Sequence, residues 1–245
     1  MKKAVLSLSG GLDSTCLLMY LLSNDYEVRA YSFSYGQKHS IELKKVQNNI
    51  SLLKQIGLPV THQIIDLTDC FSDSNSSLKV GNEVIPEGHY ESENMKSTVV
   101  ENRNVIFASI IYGKALSWAN KDQSRVEIHL GIHNGDHTIY PDCTEESRIA
   151  CEHAFKVSNW GGELVSYVAP FNHLDKGGVL QEGLYAMTVM NFSQDTIQAV
   201  LKNTHTCYNP DSEGRSCGRC GSCNERLEAF AMNNMKDPIE YQNND

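Results

Sequence analysis

A short segment near the amino terminus has the residue types and the spacing of a phosphate-binding turn. Ser9-Gly10-Gly11-Leu12-Asp13-Ser14 lies between an apolar segment typical of a buried strand and a segment with apolar residues at helical spacing. Glycines let the backbone approach an anion closely, and the amide groups at a helix N-terminus attract negative charge. Asp13 adds a negative charge, which a Mg²⁺ ion bridging this carboxylate and a pyrophosphate would offset. The alternative is an ordinary strand–turn–helix with a polar N-cap.

Four of the eight cysteines are clustered near the carboxyl end, at Cys207, Cys217, Cys220 and Cys223. Each two-residue spacer lets a turn present two sulfurs to one ion, and four thiolates satisfy tetrahedral Zn²⁺. Because the protein would fill all four coordination positions, this spacing predicts a structural zinc site rather than a catalytic one. A redox dithiol and an iron–sulfur site are the alternatives.

Charge and hydropathy favour a protein that acts on small molecules. The net charge is −9 and the isoelectric point is near 5.5, whereas nucleic-acid binders usually carry a basic face. The mean hydropathy is −0.37, and no apolar run approaches the roughly 20 residues of a membrane helix. The apolar run at residues 4–8 is too short for a secretory signal. We therefore expect a cytoplasmic protein that does not bind membranes and has little tendency to bind nucleic acid.

Strands and helices alternate along the chain, which is typical of an α/β fold with a parallel sheet. The patterns predict strands at residues 3–9, 28–33, 60–67 and 126–131 and helices at 12–22, 41–56, 105–119, 145–157, 178–187 and 224–232. We expect about five strands with helices on both faces and a nucleotide at the carboxyl ends of the strands. Residues 69–96 read as a long loop that acts as a lid, and the polar tail from residue 236 reads as frayed.

Several further motifs, together with the turn and the cysteines, resemble those of the 7-cyano-7-deazaguanine synthases, a family of PP-loop N-type ATP pyrophosphatases. The motifs are Tyr35-Gly36-Gln37-Lys38-His39, Arg103-Asn104, Tyr140-Pro141-Asp142-Cys143, Pro170-Phe171 with Leu174 and Lys176, and Cys207-Tyr208 with the three later cysteines. The resemblance covers roughly residues 3–230. It implies a PP-loop domain at residues 1–202 and a zinc-binding subregion at residues 203–235 packed on that domain.

The resemblance also implies a reaction and its site. ATP would adenylate the carboxylate of 7-carboxy-7-deazaguanine, ammonia would form the amide, and a second activation would dehydrate the amide to the nitrile. The catalytic candidates are Asp13, Lys38, Arg103 and Lys176, which would stabilise charge on pyrophosphate together with Mg²⁺. The candidates for contact with ATP are Ser7, Leu8, Ser9, Gly10, Gly11, Leu12, Asp13, Ser14, Phe33, Gln37 and His39. The candidates for contact with the deazaguanine are Tyr35, Asn104, Tyr140, Asp142 and Cys143. The resemblance further suggests a homodimer.

The sequence departs from the family pattern beside the motifs that would recognise the acceptor and the amine. Glu101-Asn102 precedes Arg103 where the family commonly has a proline, Thr144 follows Cys143 in place of an arginine, and Thr204-His205-Thr206 precedes Cys207 in place of TWS. A relative that stops at the amide, or that joins the deazaguanine to a protein amine, is therefore an alternative. The sequence also leaves open a different ligase of this class, such as an amidotransferase or a tRNA thiolation enzyme, and a non-catalytic zinc-ribbon binding module.

Overall fold

Five parallel strands form the centre of the protein in a computed structural model that describes residues 1–89, 93–136 and 139–242. The strands are β1 (Lys2–Ser7), β2 (Tyr26–Ser34), β3 (Thr61–Asp66), β4 (Val126–Leu130) and β5 (Val165–Val168). Their order in the sheet is β3-β2-β1-β4-β5, and every neighbouring pair is parallel. The order reverses at β1, so that the carboxyl ends of β1 and β4 border the crevice in which α/β proteins usually bind ligands.

Helices cover both faces of the sheet, as the alternating pattern predicts. They are α1 (Leu12–Ser23), α2 (Ile41–Gln55), α3 (Arg103–Asp122), α4 (Glu145–Val157), α5 (Lys176–Val189), α6 (Gln194–Lys202) and α7 (Gly221–Met232). On β1, Ala4 and Leu6 belong to a core shared with α1, α2, α5, α6 and α7, whereas Val5 belongs to a core shared with α3. This alternation follows from the two-residue period of a strand. Among the described residues, no helix is both long and apolar enough to span a membrane.

The four predicted strands and the six predicted helices are confirmed, with differences at their ends, and α6 is a helix that was not predicted. β5 is the strand that the patterns missed, because its four residues are too few for a period to be recognised. α5 begins at Lys176 rather than at residue 178, since the Asp175 carboxylate caps it by accepting the Gly178 amide. α7 begins at Gly221 rather than at residue 224, directly after Cys220.

Two expectations about irregular segments need correction. Within the predicted lid, Phe71, Leu78, Ile85 and Met95 are buried in the core, so this part of the segment is packed rather than free; residues 90–92 of the predicted lid lie outside the described residues. The predicted fraying from residue 236 is wrong as far as residue 242. Asp237 is buried there and forms an ion pair with Arg226, because a buried arginine needs a nearby carboxylate.

Candidate active site and metal centre

A cleft of about 990 Å³, open to solvent, lies at the carboxyl ends of β1, β2 and β4. Ser7, Phe33 and Leu130, which end these strands or lie near their ends, contribute to its wall. Further parts of the wall come from the turn after β1, from the start of α3, from Lys176 and from the segments on either side of Cys207.

The turn at residues 9–14, here called the phosphate loop, connects β1 to α1. Gly10 has φ = +98°, and a Cβ atom at this position would lie 2.5 Å from the backbone oxygen of Glu42. A glycine is therefore required by both the conformation and the packing. The Ser9 and Ser14 hydroxyls lie 3.0 Å apart, and Ser9 Oγ accepts the Gly11 amide at 3.2 Å. The loop is thus held open at the N-terminus of α1.

Of the predicted ATP contacts at residues 7–14, the polar residues and Gly11 line the cleft, whereas Leu8, Gly10 and Leu12 do not. The lining residues are Ser7, Ser9, Gly11, Asp13 and Ser14. Leu8 and Leu12 are buried in the core, so that only their backbone groups are available to a nucleotide.

Asp13, in the first turn of α1, is the centre of a charged cluster. Its Oδ2 lies 3.3 Å from Lys176 Nζ, and its Oδ1 lies 3.8 Å from His133 Nε2. Lys176 also donates to Glu225 Oε2 at 2.7 Å. Burial raises the pKa of Asp13, but Lys176, His133 and a backbone hydrogen bond together lower it by more, so that the net pKa is below the ordinary value. Within the described part of the chain Asp13 Oδ1 has no hydrogen-bond partner, although it is buried. A divalent cation would satisfy this oxygen.

Another part of the cleft wall contains buried groups that are mostly neutral, next to the half-buried Arg103. Arg103 donates to the Tyr35 hydroxyl at 3.2 Å, and this hydroxyl lies 3.5 Å from His39 Nε2. The same His39 nitrogen lies 3.8 Å from Glu42 Oε1. Burial lowers the pKa of His39 to about 3 and raises the pKa of Glu42 to about 8. Both side chains are therefore neutral at pH 7. Tyr35, His39 and Glu42 are here called the neutral wall.

Gln37 and Lys38 do not reach the cleft. The Gln37 side chain accepts the Tyr35 amide at 2.8 Å and donates to Phe33 O and Glu42 Oε1, which corrects its predicted contact with ATP: it fixes the end of β2 instead. Lys38 donates to the backbone oxygens of Asn82 and Glu83 at 3.1 and 2.5 Å. Its ammonium therefore points to the 82–83 loop, and its predicted catalytic role has no support in this geometry.

The predicted deazaguanine contacts fall into two groups. Tyr35, Asn104, Tyr140 and Cys143 line the cleft. Asp142 is not among the lining residues: its two oxygens accept the Asn104 backbone and side-chain amides at 3.1 and 3.2 Å. It therefore caps α3 and orients Asn104, in place of the direct base contact that we predicted. Asn104 Nδ2 also lies 3.2 Å from Cys143 Sγ.

The four clustered cysteines meet at one point. Their sulfur atoms all lie within 4.8 Å of one another and are buried, and the Cys217 and Cys223 sulfurs lie 3.9 Å apart. A tetrahedral ion bound at ~2.3 Å by four sulfurs separates them by about 3.8 Å. Cys207 Sγ accepts the amides of Asn209 and Cys217, as thiolates in metal sites commonly do. The donor set therefore fits one tetrahedral metal ion.

The segment between α6 and the metal centre crosses the phosphate loop. The His205 amide donates to Gly10 O at 2.8 Å, and its side chain lies 2.9 Å from the Cys207 carbonyl oxygen. Sequence reasoning missed His205, His133, Glu42 and Glu225 as neighbours of the site. Two of these residues could have been found from the sequence, because Glu42 follows His39 of one motif by three residues and Glu225 follows Cys223 of another by two. The sequence around His133 and His205 holds no recognisable signal of their role.

The chain matches a protein family described as "Queuosine biosynthesis protein QueC" over residues 3–234. It is 41% identical over 241 residues to a 7-cyano-7-deazaguanine synthase of Marinomonas sp., with 98% of this chain and 99% of that protein covered. It is 40% identical over 242 residues to 7-cyano-7-deazaguanine synthase 2 of Colwellia psychrerythraea and to the 7-cyano-7-deazaguanine synthase of Pseudoalteromonas atlantica, with the same coverage.

Proposed function

The chain belongs to the QueC family of queuosine biosynthesis proteins, and we propose that it converts 7-carboxy-7-deazaguanine, ammonia and ATP into 7-cyano-7-deazaguanine. The observation that carries this proposal is the meeting of the phosphate loop, Lys176 and the Arg103-Asn104 pair in one cleft, in a chain similar to such synthases over nearly its whole length. Because the chain belongs to this family, a reaction with a different acceptor is not favoured, and neither is a zinc-ribbon module without catalysis.

The reaction must turn a poor electrophile into a good one. A carboxylate repels nucleophiles, and its oxygen leaves badly. Transfer of AMP from ATP to this oxygen releases pyrophosphate, and ammonia then displaces AMP to give the amide and one proton. A second ATP activates the amide oxygen, and loss of AMP with two N–H protons leaves the nitrile.

The phosphate-loop side of the cleft is suited to the departing pyrophosphate. Amides at the N-terminus of α1 and the hydroxyls of Ser9 and Ser14 supply hydrogen bonds, and the Lys176 ammonium supplies positive charge. Asp13, whose Oδ1 has no hydrogen-bond partner among the described residues, would hold a Mg²⁺ ion. When bound, Mg²⁺ supplies Lewis-acid stabilisation of the charge that develops on pyrophosphate.

The other side of the cleft is suited to the heterocycle and its carboxylate. Arg103 is a half-buried cation near Tyr35 and Tyr140, and it provides the charge that an anionic acceptor needs. Phe33, stacked on Phe107 at 4.1 Å between ring centroids, and the ring of Tyr140 offer apolar surface to flat bases. Asn104, fixed by Asp142, presents an amide to the base edge.

Cys207, Cys217, Cys220 and Cys223 would hold a structural Zn²⁺ ion. The four sulfurs are buried, and they leave no position for a substrate. The ion would order the segment that crosses the phosphate loop through the His205 amide. We also propose that the protein forms a homodimer. We further propose that residues 1–202 form the PP-loop domain and residues 203–235 a zinc-binding subregion.

The purified protein incubated with ATP, Mg²⁺, 7-carboxy-7-deazaguanine and ammonium tests this proposal, with nucleotides and bases followed by mass spectrometry. We expect AMP, then the amide and then the nitrile, with two AMP for each nitrile. AMP and amide without nitrile would limit the reaction to its first half. Folded, zinc-loaded protein that forms no AMP would reject the proposal, and Asp13→Asn serves as the inactive control.

A further inference from the structure

One carboxylate in the charged cluster has no role in the reaction as proposed. Glu225 lies on α7, two residues after Cys223, and its Oε2 accepts a hydrogen bond from Lys176 Nζ at 2.7 Å. The Lys176 side chain is 5% exposed and the Glu225 side chain 19%, so this pair is largely shielded from solvent. Two charges that are shielded from solvent attract each other more strongly than two charges at the surface do.

Lys176 is shared unequally between two carboxylates. Its ammonium lies 2.7 Å from Glu225 Oε2 but 3.3 Å from Asp13 Oδ2. The shorter distance is typical of a charge-assisted hydrogen bond, whereas the longer one is beyond that range. Lys176 is therefore bound mainly to Glu225, and Asp13 is only partly engaged.

His133 does not accept a hydrogen bond from Lys176, although its Nε2 lies 3.4 Å from Lys176 Nζ. The Gly135 amide donates to His133 Nδ1 at 3.1 Å, so that Nδ1 is the acceptor and Nε2 carries the hydrogen. An Nε2–H group cannot accept a hydrogen bond from an ammonium. Of these three neighbours of Lys176, the two carboxylates are therefore the acceptors.

We propose that Glu225 is a positioning residue for Mg²⁺ and ATP: it holds the Lys176 ammonium so that the Asp13 carboxylate stays available to the metal ion. The proposal rests on the proposed function, since that function places Mg²⁺ at Asp13. It also gives the metal centre a second task, because the Cys223 ligand fixes the start of the helix that carries Glu225.

Loss of the Glu225 charge has two opposite effects, which make the proposal testable. Without this carboxylate, Lys176 pairs more closely with Asp13 and the cluster gains one positive charge, so Mg²⁺ binds less well. The same added positive charge attracts free ATP, which is an anion. The factor by which Mg²⁺ raises the affinity for ATP should therefore fall, whereas a merely structural defect weakens ATP binding with and without Mg²⁺ alike.

The test measures ATP binding by isothermal titration calorimetry, in Mg²⁺ and in EDTA, without the deazaguanine and without ammonia. We expect the enhancement by Mg²⁺ to be about tenfold smaller in Glu225→Gln than in the natural protein. Glu228→Gln is the matched control: it makes the same charge change on the same helix, but the Glu228 side chain is 60% exposed and faces His89. Its enhancement should equal that of the natural protein.

Three outcomes would overturn the proposal. The first is an unchanged enhancement in folded Glu225→Gln with its full zinc content, and the second is an equal loss of ATP affinity with and without Mg²⁺. The third is a natural protein that binds no ATP in Mg²⁺, which would reject the proposed function as well and is thereby distinguished from the first two. If Glu225→Gln does not fold, Glu225→Asp decides: it keeps the charge on a shorter side chain, and we expect an intermediate enhancement.

Discussion

The two sides of the cleft bury titratable groups in opposite ways. On the phosphate-loop side, Asp13, Lys176 and Glu225 lie within 3.3 Å of a partner of opposite charge, and the pKa of Asp13 is below its ordinary value. On the neutral wall, His39 and Glu42 are buried without such a partner, and burial moves their pKa values to about 3 and about 8. Burial with a counter-charge keeps a group ionised, and burial without one makes it neutral.

This difference suits the two kinds of ligand that the proposed reaction brings together. Ionised groups can exchange partners with Mg²⁺ and pyrophosphate, whose charges change during the reaction. Neutral hydrogen-bonding groups can contact a nucleotide or a heterocycle without repelling the phosphates of ATP. Glu42 lines the cleft, so an ionised Glu42 would add a negative charge to the wall that faces ATP, and its neutral form favours ATP binding.

The largest effect should follow from removing the cation of the charged side. We expect Lys176→Met to slow adenylation by about 100- to 1,000-fold, because the charge on pyrophosphate loses its main protein counter-ion. Pyrophosphate exchange into ATP, in the presence of 7-carboxy-7-deazaguanine, measures this step alone. Lys156→Met, which removes a surface lysine paired with Glu152 on α4, is the control and should exchange normally. A loss below threefold in Lys176→Met would mean that Lys176 does not act on pyrophosphate.

Gly10 lies where the phosphate loop packs against the backbone of Glu42 in α2, and a substitution there tests this contact. We expect Gly10→Ala to lower the free energy of unfolding by about 2–4 kcal/mol, because φ = +98° strains alanine and its Cβ meets the Glu42 backbone oxygen. Urea denaturation measures this loss. Gly113→Ala is the matched control: this glycine lies within α3 with no atom within 4 Å of an added Cβ, so alanine should leave stability unchanged or raise it by about 0.5–1 kcal/mol. Equal effects of the two substitutions would contradict the requirement at Gly10.

The neutral wall predicts a pH effect whose sign is set by Glu42. Its folded pKa of about 8 lies above the unfolded value of 4.5, so the folded state binds more protons between these values. This contribution to stability is fully present below pH 4.5 and is lost as pH rises through 8. Between pH 6.5 and 8, Glu42→Gln should therefore gain about 1–2 kcal/mol relative to the natural protein.

Urea denaturation of both proteins at several pH values checks this prediction about Glu42. The interval from pH 6.5 to 8 is chosen because His39 and His205, with lowered pKa values of about 3 and 4, change their proton uptake mainly below pH 6.5. A difference between the two proteins that does not vary with pH would mean that Glu42 is ionised in the folded state.

The smallest effect is expected at Lys38, which belongs to neither side. Because its ammonium binds the backbone oxygens of residues 82 and 83, Lys38→Ala should change the rate of AMP formation by less than about twofold, within the range of a surface substitution. The rate of AMP release at saturating substrates measures this. A tenfold loss would restore the catalytic role that the motif suggested.

Local patterns were sufficient wherever a function depends on residues that are close in the chain. The phosphate loop is six consecutive residues between a strand and a helix, and three of the four cysteines lie within seven residues, so their geometry follows from turn chemistry. The parallel sheet could likewise be predicted from alternating periods. Strand β5 and the packed part of residues 69–96 could not, because each is stabilised by distant contacts rather than by its own pattern.

The sequence by itself therefore determined the fold class, the glycine-rich turn, the cysteine cluster and the family, since each is encoded in spacing or in motifs. Only the tertiary structure decided which charges meet. It brings Glu225 from α7 to Lys176, turns Lys38 and Gln37 away from the cleft, and buries Arg226 against Asp237. The physical reason is that burial and electrostatic pairing depend on distances through space, which residue order near a motif does not record.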